Sequence, residues 1–155
     1  MQLETQRLNL IACTEDYVSN LSVEEYEMGP HIELHLLELK NSPSNKGWGV
    51  WFVINKENDM IIGDVGFKGK SNSENAVEVG YGIIPSAQGK GFATEAVEAI
   101  IKWAFSTDEV MKINAECLDD NLASIKVLEK LQMNRIGIED NMIKWQLLRN
   151  GNHIE

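Results

Sequence analysis

Apolar and polar residues alternate over residues 7–12, with Leu8, Leu10 and Ala12 on one face and Asn9 and Ile11 on the other. That period of two predicts an opening strand. Thr14 follows as an N-cap, and a short helix is expected over residues 15–21. A second short helix is expected over 24–28, stopped at Gly29-Pro30. Residues 31–39 have a helical period, with Ile32, Leu36 and Leu39 on one face that Leu34 and Leu37 broaden. After a turn-rich loop, residues 49–55 and 60–68 read as strands joined through Lys56-Glu57-Asn58-Asp59, a hairpin connection of ordinary length. Residues 77–84 form the next strand, so three successive strands are expected to be antiparallel neighbours. A helix-period run follows, placing Ala93, Ala96, Val97, Ile100, Ile101 and Ala104 together. Residues 111–118 read as a strand, and a strand–helix–strand unit of that length requires a parallel crossover. Asn121 opens a last helix with Ile125, Leu128 and Leu131 inward. Residues 135–138 and 142–148 close the chain as an antiparallel pair, and the polar tail 151–155 is expected to be loose. The pattern predicts an α+β fold: a central mixed sheet of about seven strands with helices on both faces.

The 155 residues suit one domain around a single core, taken as residues 1–150. The formal net charge is −10, which disfavours a nucleic-acid partner because phosphates call for a basic face. The same charge is compatible with a cationic amine substrate, and equally with a plain role in solubility. No apolar run approaches the roughly 20 residues needed to span a bilayer. The first residues lack the basic and apolar regions of a signal peptide. With Cys13 and Cys117 read as free, buried thiols, the expected compartment is the cytoplasm. Trp51 is expected in the core, whereas Trp48 suits either the core or the wall of a cleft. His31 and His35 stand four apart, a spacing that can present two metal ligands on one helix face. No third ligand accompanies them, so they are read as exposed helical histidines and no metal is expected.

The stretch Gln88-Gly89-Lys90-Gly91-Phe92-Ala93 joins a strand to a helix. The first turn of a helix has N–H groups without intrahelical partners, and its dipole adds partial positive charge. Glycines there let a ligand approach the backbone closely, so the stretch reads as a cradle for phosphate or pyrophosphate. Two familiar nucleotide loops fit less well. The P-loop spacing would need Gly at Ile84 and Ser or Thr at Gly91. The dinucleotide fingerprint meets Thr94 where its third glycine belongs. A glycine-rich turn that binds nothing is the remaining alternative.

Gln88-x-x-Gly91-x-Ala93, after a strand and opening a helix, resembles the pyrophosphate motif of the GCN5-related N-acetyltransferases. The context Glu78-Val79-Gly80-Tyr81 through Ala93-Thr94-Glu95-Ala96, and the opening Leu3-Glu4-Thr5-Gln6-Arg7-Leu8, are similar to the subgroup containing ribosomal-protein N-terminal acetyltransferases. The order of these segments covers nearly the whole chain. The resemblance implies that the motif strand and the next strand splay apart around acetyl-CoA. It implies that Gln88, Gly89, Lys90, Gly91, Phe92, Ala93 and Thr94 hold the pyrophosphate, and that backbone groups of Ile83 and Ile84 meet the pantetheine arm and polarise the thioester. The run from Asn121 to Leu131 resembles the second family signature, which implies that Asn121 bonds the pantetheine arm and Ser124 faces the cofactor. The alternative for Asn121 is a plain N-cap.

For the chemistry, the acceptor amine must lose a proton and the leaving thiolate must gain one. The resemblance implies Glu78, on the motif strand, as the general base, with a solvated strand carboxylate as the alternative. Tyr81 and Tyr26 are further candidates for the cleft. Many family members carry a Tyr seven residues after the Asn, where this chain has Leu128. Gln132-Met133 likewise replaces the common Gly-Phe ending of that signature. The implied function is acetyl transfer from acetyl-CoA to a primary amine of a peptide or protein N-terminus or a small molecule, by a monomer or homodimer. A non-catalytic acyl-CoA-binding module is the alternative from another class, and a nucleotide-dependent oxidoreductase rests only on Gly89-x-Gly91.

Overall fold

A mixed sheet of eight strands, in the order β1-β2-β3-β4-β5-β6-β8-β7, forms the frame of the computed structural model, which describes residues 1–21 and 26–149. The strands are β1 Gln2–Glu4, β2 Leu8–Ala12, β3 Val50–Asn55, β4 Met60–Phe67, β5 Ala76–Ile83, β6 Lys112–Leu118, β7 Asn134–Glu139 and β8 Met142–Leu148. The helices are α1 Glu15–Ser19, α2 Pro30–Asn41, α3 Phe92–Ser106 and α4 Leu122–Lys130. Seven of these strands match the expected ones within a residue or two, and β1 is the addition. It is three residues long, lies on the sheet edge against β2 and is mostly exposed, so it has no apolar alternation to betray it.

The sheet sorts its side chains by the period of two. Leu8, Leu10 and Ala12 face the same side as Trp51, Val53, Val65, Val77 and Val79, and α3 covers them with Ala96, Val97, Ile100, Ile101 and Ala104. Ile125 and Leu128 bring α4 onto the same core. The other side of β2 to β4 presents Val50, Phe52, Ile54 and Ile61 to α1 and α2, which contribute Tyr17, Val18, Ile32 and Leu36. Trp51 and Trp48 are both buried, and Trp48 packs against Phe67 and Trp103. Thr14 caps α1 through its hydroxyl, which accepts from the Tyr17 N–H. Cys13 and Cys117 are free and buried.

Two expectations around α2 change. The proposed helix over 24–28 falls partly outside the described residues, and residues 26–28 have no regular structure. His35 is not an exposed helical histidine: it is buried, while Leu34 and Leu37 are exposed. The cause is Gly49, where a Cβ would stand 2.0 Å from the His35 Nδ1, so the missing side chain makes the ring's seat. The tail 151–155 lies outside the described residues. Among the described residues no helix is long and apolar enough to cross a membrane, and no three His, Cys, Asp or Glu side chains cluster as a metal site.

The central pair splays. β5 and β6 run parallel, as the crossover requires, but pair only through Ala76–Lys112, Val77–Ile113 and Glu78–Asn114. Beyond Glu78, β5 stays with β4 as far as Ile83, while β6 stays with β8 as far as Leu118. Each strand follows its outer neighbour, and a gap opens between them from Val79 onward.

Candidate active site

The gap leads to the glycine stretch. A short 3-10 turn, Pro85–Ala87, ends β5, and the Gln88 side-chain amide donates to the Ile83 carbonyl at 2.8 Å, closing the turn. Gly89 (φ +78°) and Gly91 (φ +83°) adopt the left-handed conformation that disfavours a side chain. Gly91 is the N-cap of α3 and has no side chain to offer the first-turn N–H groups, which leaves them for a ligand. A Cβ on Gly89 would meet nothing within 4 Å, so open space stands beside the loop. These features fit an anionic group held by backbone N–H groups at a helix N-terminus.

The loop is braced from the other end of the chain. The Arg7 guanidinium donates to the Lys90 carbonyl at 3.0 Å and to a Glu95 carboxylate oxygen at 2.7 Å, and lies 4.3 Å over the Phe92 ring. The Thr5 hydroxyl and the Arg7 N–H also donate to Glu95, at 2.6 and 2.9 Å. Burial alone would raise the Glu95 carboxyl, but the bonds from Thr5 and Arg7 outweigh it and hold the group below its ordinary value.

A cavity of about 350 Å³ collects most of the expected cofactor residues: Ile83, Gln88, Gly89, Gly91, Phe92, Ala93, Thr94, Asn121 and Ser124. Lys90 is exposed and does not line it, whereas Lys126 and Lys130 of α4 do. These two lysines were missed from the sequence, although both sit within three turns of Asn121 on one short helix. Asn121 is the N-cap of α4, its Oδ1 accepting from the Ser124 N–H at 3.2 Å. Its amide N–H₂ is not used in the cap. Tyr81 lines the same cavity and is hydrogen-bonded to Ser124. Burial raises its phenol, and the bond to Ser124 only partly opposes this, so Tyr81 stays protonated. Leu128 is 1% exposed and packed in the core.

A second cavity, of about 780 Å³, opens on the α2 side of the sheet. Its floor is short of side chains: Gly66, Gly80 and Gly82 of β4 and β5 line it, and a Cβ on Gly82 would meet nothing within 4 Å. Ile84 lines this cavity rather than the smaller one, and Tyr81, Gly82 and Ile83 line both. Asp64 rises from β4 directly opposite Gly82. One of its oxygens accepts from the Tyr26 hydroxyl at 2.5 Å, and the other meets His31 Nε2 at 2.9 Å. Burial, then the bond to Asp64, pushes the Tyr26 phenol well up. Burial lowers His35, against the pull of Glu38, and its Nε2 finds no partner among the described residues. Asp64 was missed from the sequence. The available signal was a carboxylate in the otherwise apolar run Met60–Phe67, beside strand glycines that mark close approach. Glu78 is not brought to this group. It accepts from Lys68 Nζ at 2.8 Å and lines neither cavity.

Comparison with known proteins agrees with this geometry. The family model described as an acetyltransferase (GNAT) domain matches residues 11–134. The uncharacterized N-acetyltransferase YjdG of Bacillus subtilis is 39% identical over 93 residues, which are 60% of this chain and 55% of that protein. The chain spans about half the length of the curated relatives it matches. A ribosomal-protein-S5-alanine acetyltransferase from Vibrio fischeri shares the fold with a TM-score of 0.75 at 20% identity, over 97% of this chain and 98% of that one. The ribosomal L7/L12 α-N-protein acetyltransferase RimL, solved in complex with coenzyme A, does so with a TM-score of 0.75 at 15% identity, over 96% and 98%. Because the family match runs through β2 to the start of β7, the chain belongs to the GNAT acetyltransferase family.

Proposed function

We propose that the protein is an N-acetyltransferase that moves an acetyl group from acetyl-CoA to a primary amine by direct attack. The observation that carries this reading is the meeting of two cavities along Tyr81, Gly82 and Ile83, where β5 leaves β6. The smaller cavity suits the donor. The α3 N-terminus, Gly89 and Gly91 would hold the pyrophosphate, with Lys126 and Lys130 offsetting the overall negative charge. Asn121, Ser124 and backbone groups near Ile83 would hold the pantetheine arm. Bound acetyl-CoA supplies an activated acyl group, so the protein mainly positions the partners and manages protons.

The larger cavity suits the acceptor. Asp64, Glu27 and Glu38 line it against a single lysine, Lys68, which favours a cationic amine. A peptide or protein N-terminus, as acted on by the two ribosomal-protein acetyltransferases of like fold, and a small-molecule amine both meet that description.

Titration calorimetry with acetyl-CoA, followed by thiol release with a panel of amines and peptides, tests the reading. Gly89→Glu is expected to lower acetyl-CoA affinity by about tenfold or more, because a carboxylate would enter the anion site. Its fold should persist, at a cost of roughly 1 kcal/mol for a side chain at positive φ. A parent protein that binds acetyl-CoA but releases no thiol with any amine would leave a non-catalytic acyl-CoA-binding module, the reading that the buried Leu128 favours.

A further inference from the structure

The acceptor amine enters as an ammonium and needs a base, and Glu78 lines neither cavity, its carboxylate being paired with Lys68 at the rim of the larger one. We propose that His31, oriented by Asp64, is the general base of the acceptor cavity; this rests on the acetyl-transfer reading above. His31 Nε2 and the Asp64 Oδ1 are 2.9 Å apart. An ionised carboxylate can only accept, so in the neutral ring Nε2 carries the hydrogen and Nδ1 the lone pair. Nδ1 has no hydrogen-bond partner among the described residues. The second Asp64 oxygen is taken by Tyr26, whose phenol stays protonated and fixes the carboxylate on its other side.

Two further details show a seat made for the ring. Gly29 caps α2 without a side-chain bond, and a Cβ there would stand 2.8 Å from His31 Nδ1. Any side chain there would force the imidazole to shift. Asp64 is paired in register with Gly82, whose empty Cβ position leaves the space between the carboxylate and the shared edge of the two cavities open. The His31 side chain is 53% exposed, so a captured proton has a path to water.

The proton balance is simple. One N–H bond of the ammonium breaks, the proton goes to His31 Nδ1, and the electron pair stays on nitrogen. That pair forms the new N–C bond as the C–S bond of the donor breaks, with its electrons leaving on sulfur. The nitrogen gives up a second proton as the amide forms, and sulfur takes it to become the thiol. His31 returns the first proton to water. The charged and titratable groups around the base are Asp64 from β4, Lys68 just after that strand, Tyr81 from β5, Tyr26 and Glu27 from the segment before α2, and His35 and Glu38 from α2 itself.

Three measurements test the assignment. In the free protein, ¹⁵N shifts of the imidazole should show His31 as the Nε2–H tautomer, and Asp64→Asn should abolish that preference. In single turnover, His31→Gln should lower the rate about 10²–10⁴-fold near neutral pH, with acetyl-CoA affinity unchanged in calorimetry. The deficit should shrink toward pH 10, where more of the amine is already neutral. Added imidazole should restore part of the rate to His31→Ala. If the parent transfers acetyl and His31→Gln runs within a few-fold of it with a parallel pH profile, the base assignment is overturned. It is equally overturned if Glu78→Gln alone shows the deficit. A parent that transfers to no amine instead overturns the acetyl-transfer reading, and the base falls with it.

Discussion

Asn121 has two polar ends, and the helix cap uses one. Its oxygen accepts from the Ser124 N–H, while its amide N–H₂ stays out of the cap, at a residue that lines the smaller cavity. The two roles separate by substitution. Asn121→Ser keeps a good neutral cap, so thermal stability should be close to that of the parent, yet it lacks the amide and should bind acetyl-CoA more weakly. Asn121→Ala should lose both, with about 0.5–2 kcal/mol of stability. Unchanged calorimetric affinity in the Ser variant would leave Asn121 a cap and nothing more. The residue scale was the most legible from sequence, because caps and turns are local chemistry. Asn121, Thr14 and the two loop glycines sit where their side chains, or lack of them, require. Gln132 was visible only as a departure from the usual glycine. The fold supplies the physical meaning: it follows the C-cap of α4 at φ +64°, where glycine is the unstrained choice.

Between elements, local pattern informs less. Arg7 and Glu95 stand 88 positions apart, so no spacing in the chain announces that the entry to β2 braces the start of α3. The brace has a testable titration. Glu95 has a lower value in the folded chain than its ordinary 4.5, so folding favours its ionised form. That stability is present above the ordinary value and is lost as pH falls through the depressed one. Glu95→Gln should therefore melt below the parent at neutral pH, and the gap should close in acid. A constant gap from pH 7 down to about 3 would deny the brace its charge, a range that spans ordinary carboxylate values. The splay was likewise readable only through the resemblance. Alternation in 77–84 predicts a strand, but it cannot say that the strand loses one neighbour after Glu78 and keeps the other. His31 and Asp64 were illegible for the same reason. They meet across 33 positions, and the i, i+4 spacing of His31 with His35 directs attention along the helix rather than across to β4.

At the scale of the molecule, the sheet divides the two cavities. α3 and α4 stand over the smaller cavity, α2 over the larger one, and among the described residues only Tyr81, Gly82 and Ile83 belong to both. On the proposed function, the net charge of −10 should add a long-range bias toward cationic acceptors, so that their apparent KM rises with salt as screening shortens the field. The two-sided arrangement also governs the order of events. On the proposed function, a partner seated on one face would leave the other mouth open, so donor and acceptor should enter in either sequence and be present together. Neither thiol suits a relay through the protein, since both cysteines are buried and the Cys13 thiol is pushed up to about 12 by burial and by Asp64. Initial-rate plots should therefore give intersecting lines rather than parallel ones. Acetyl-CoA mixed with labelled coenzyme A and no amine should exchange no label at all, however long the enzyme is left with them.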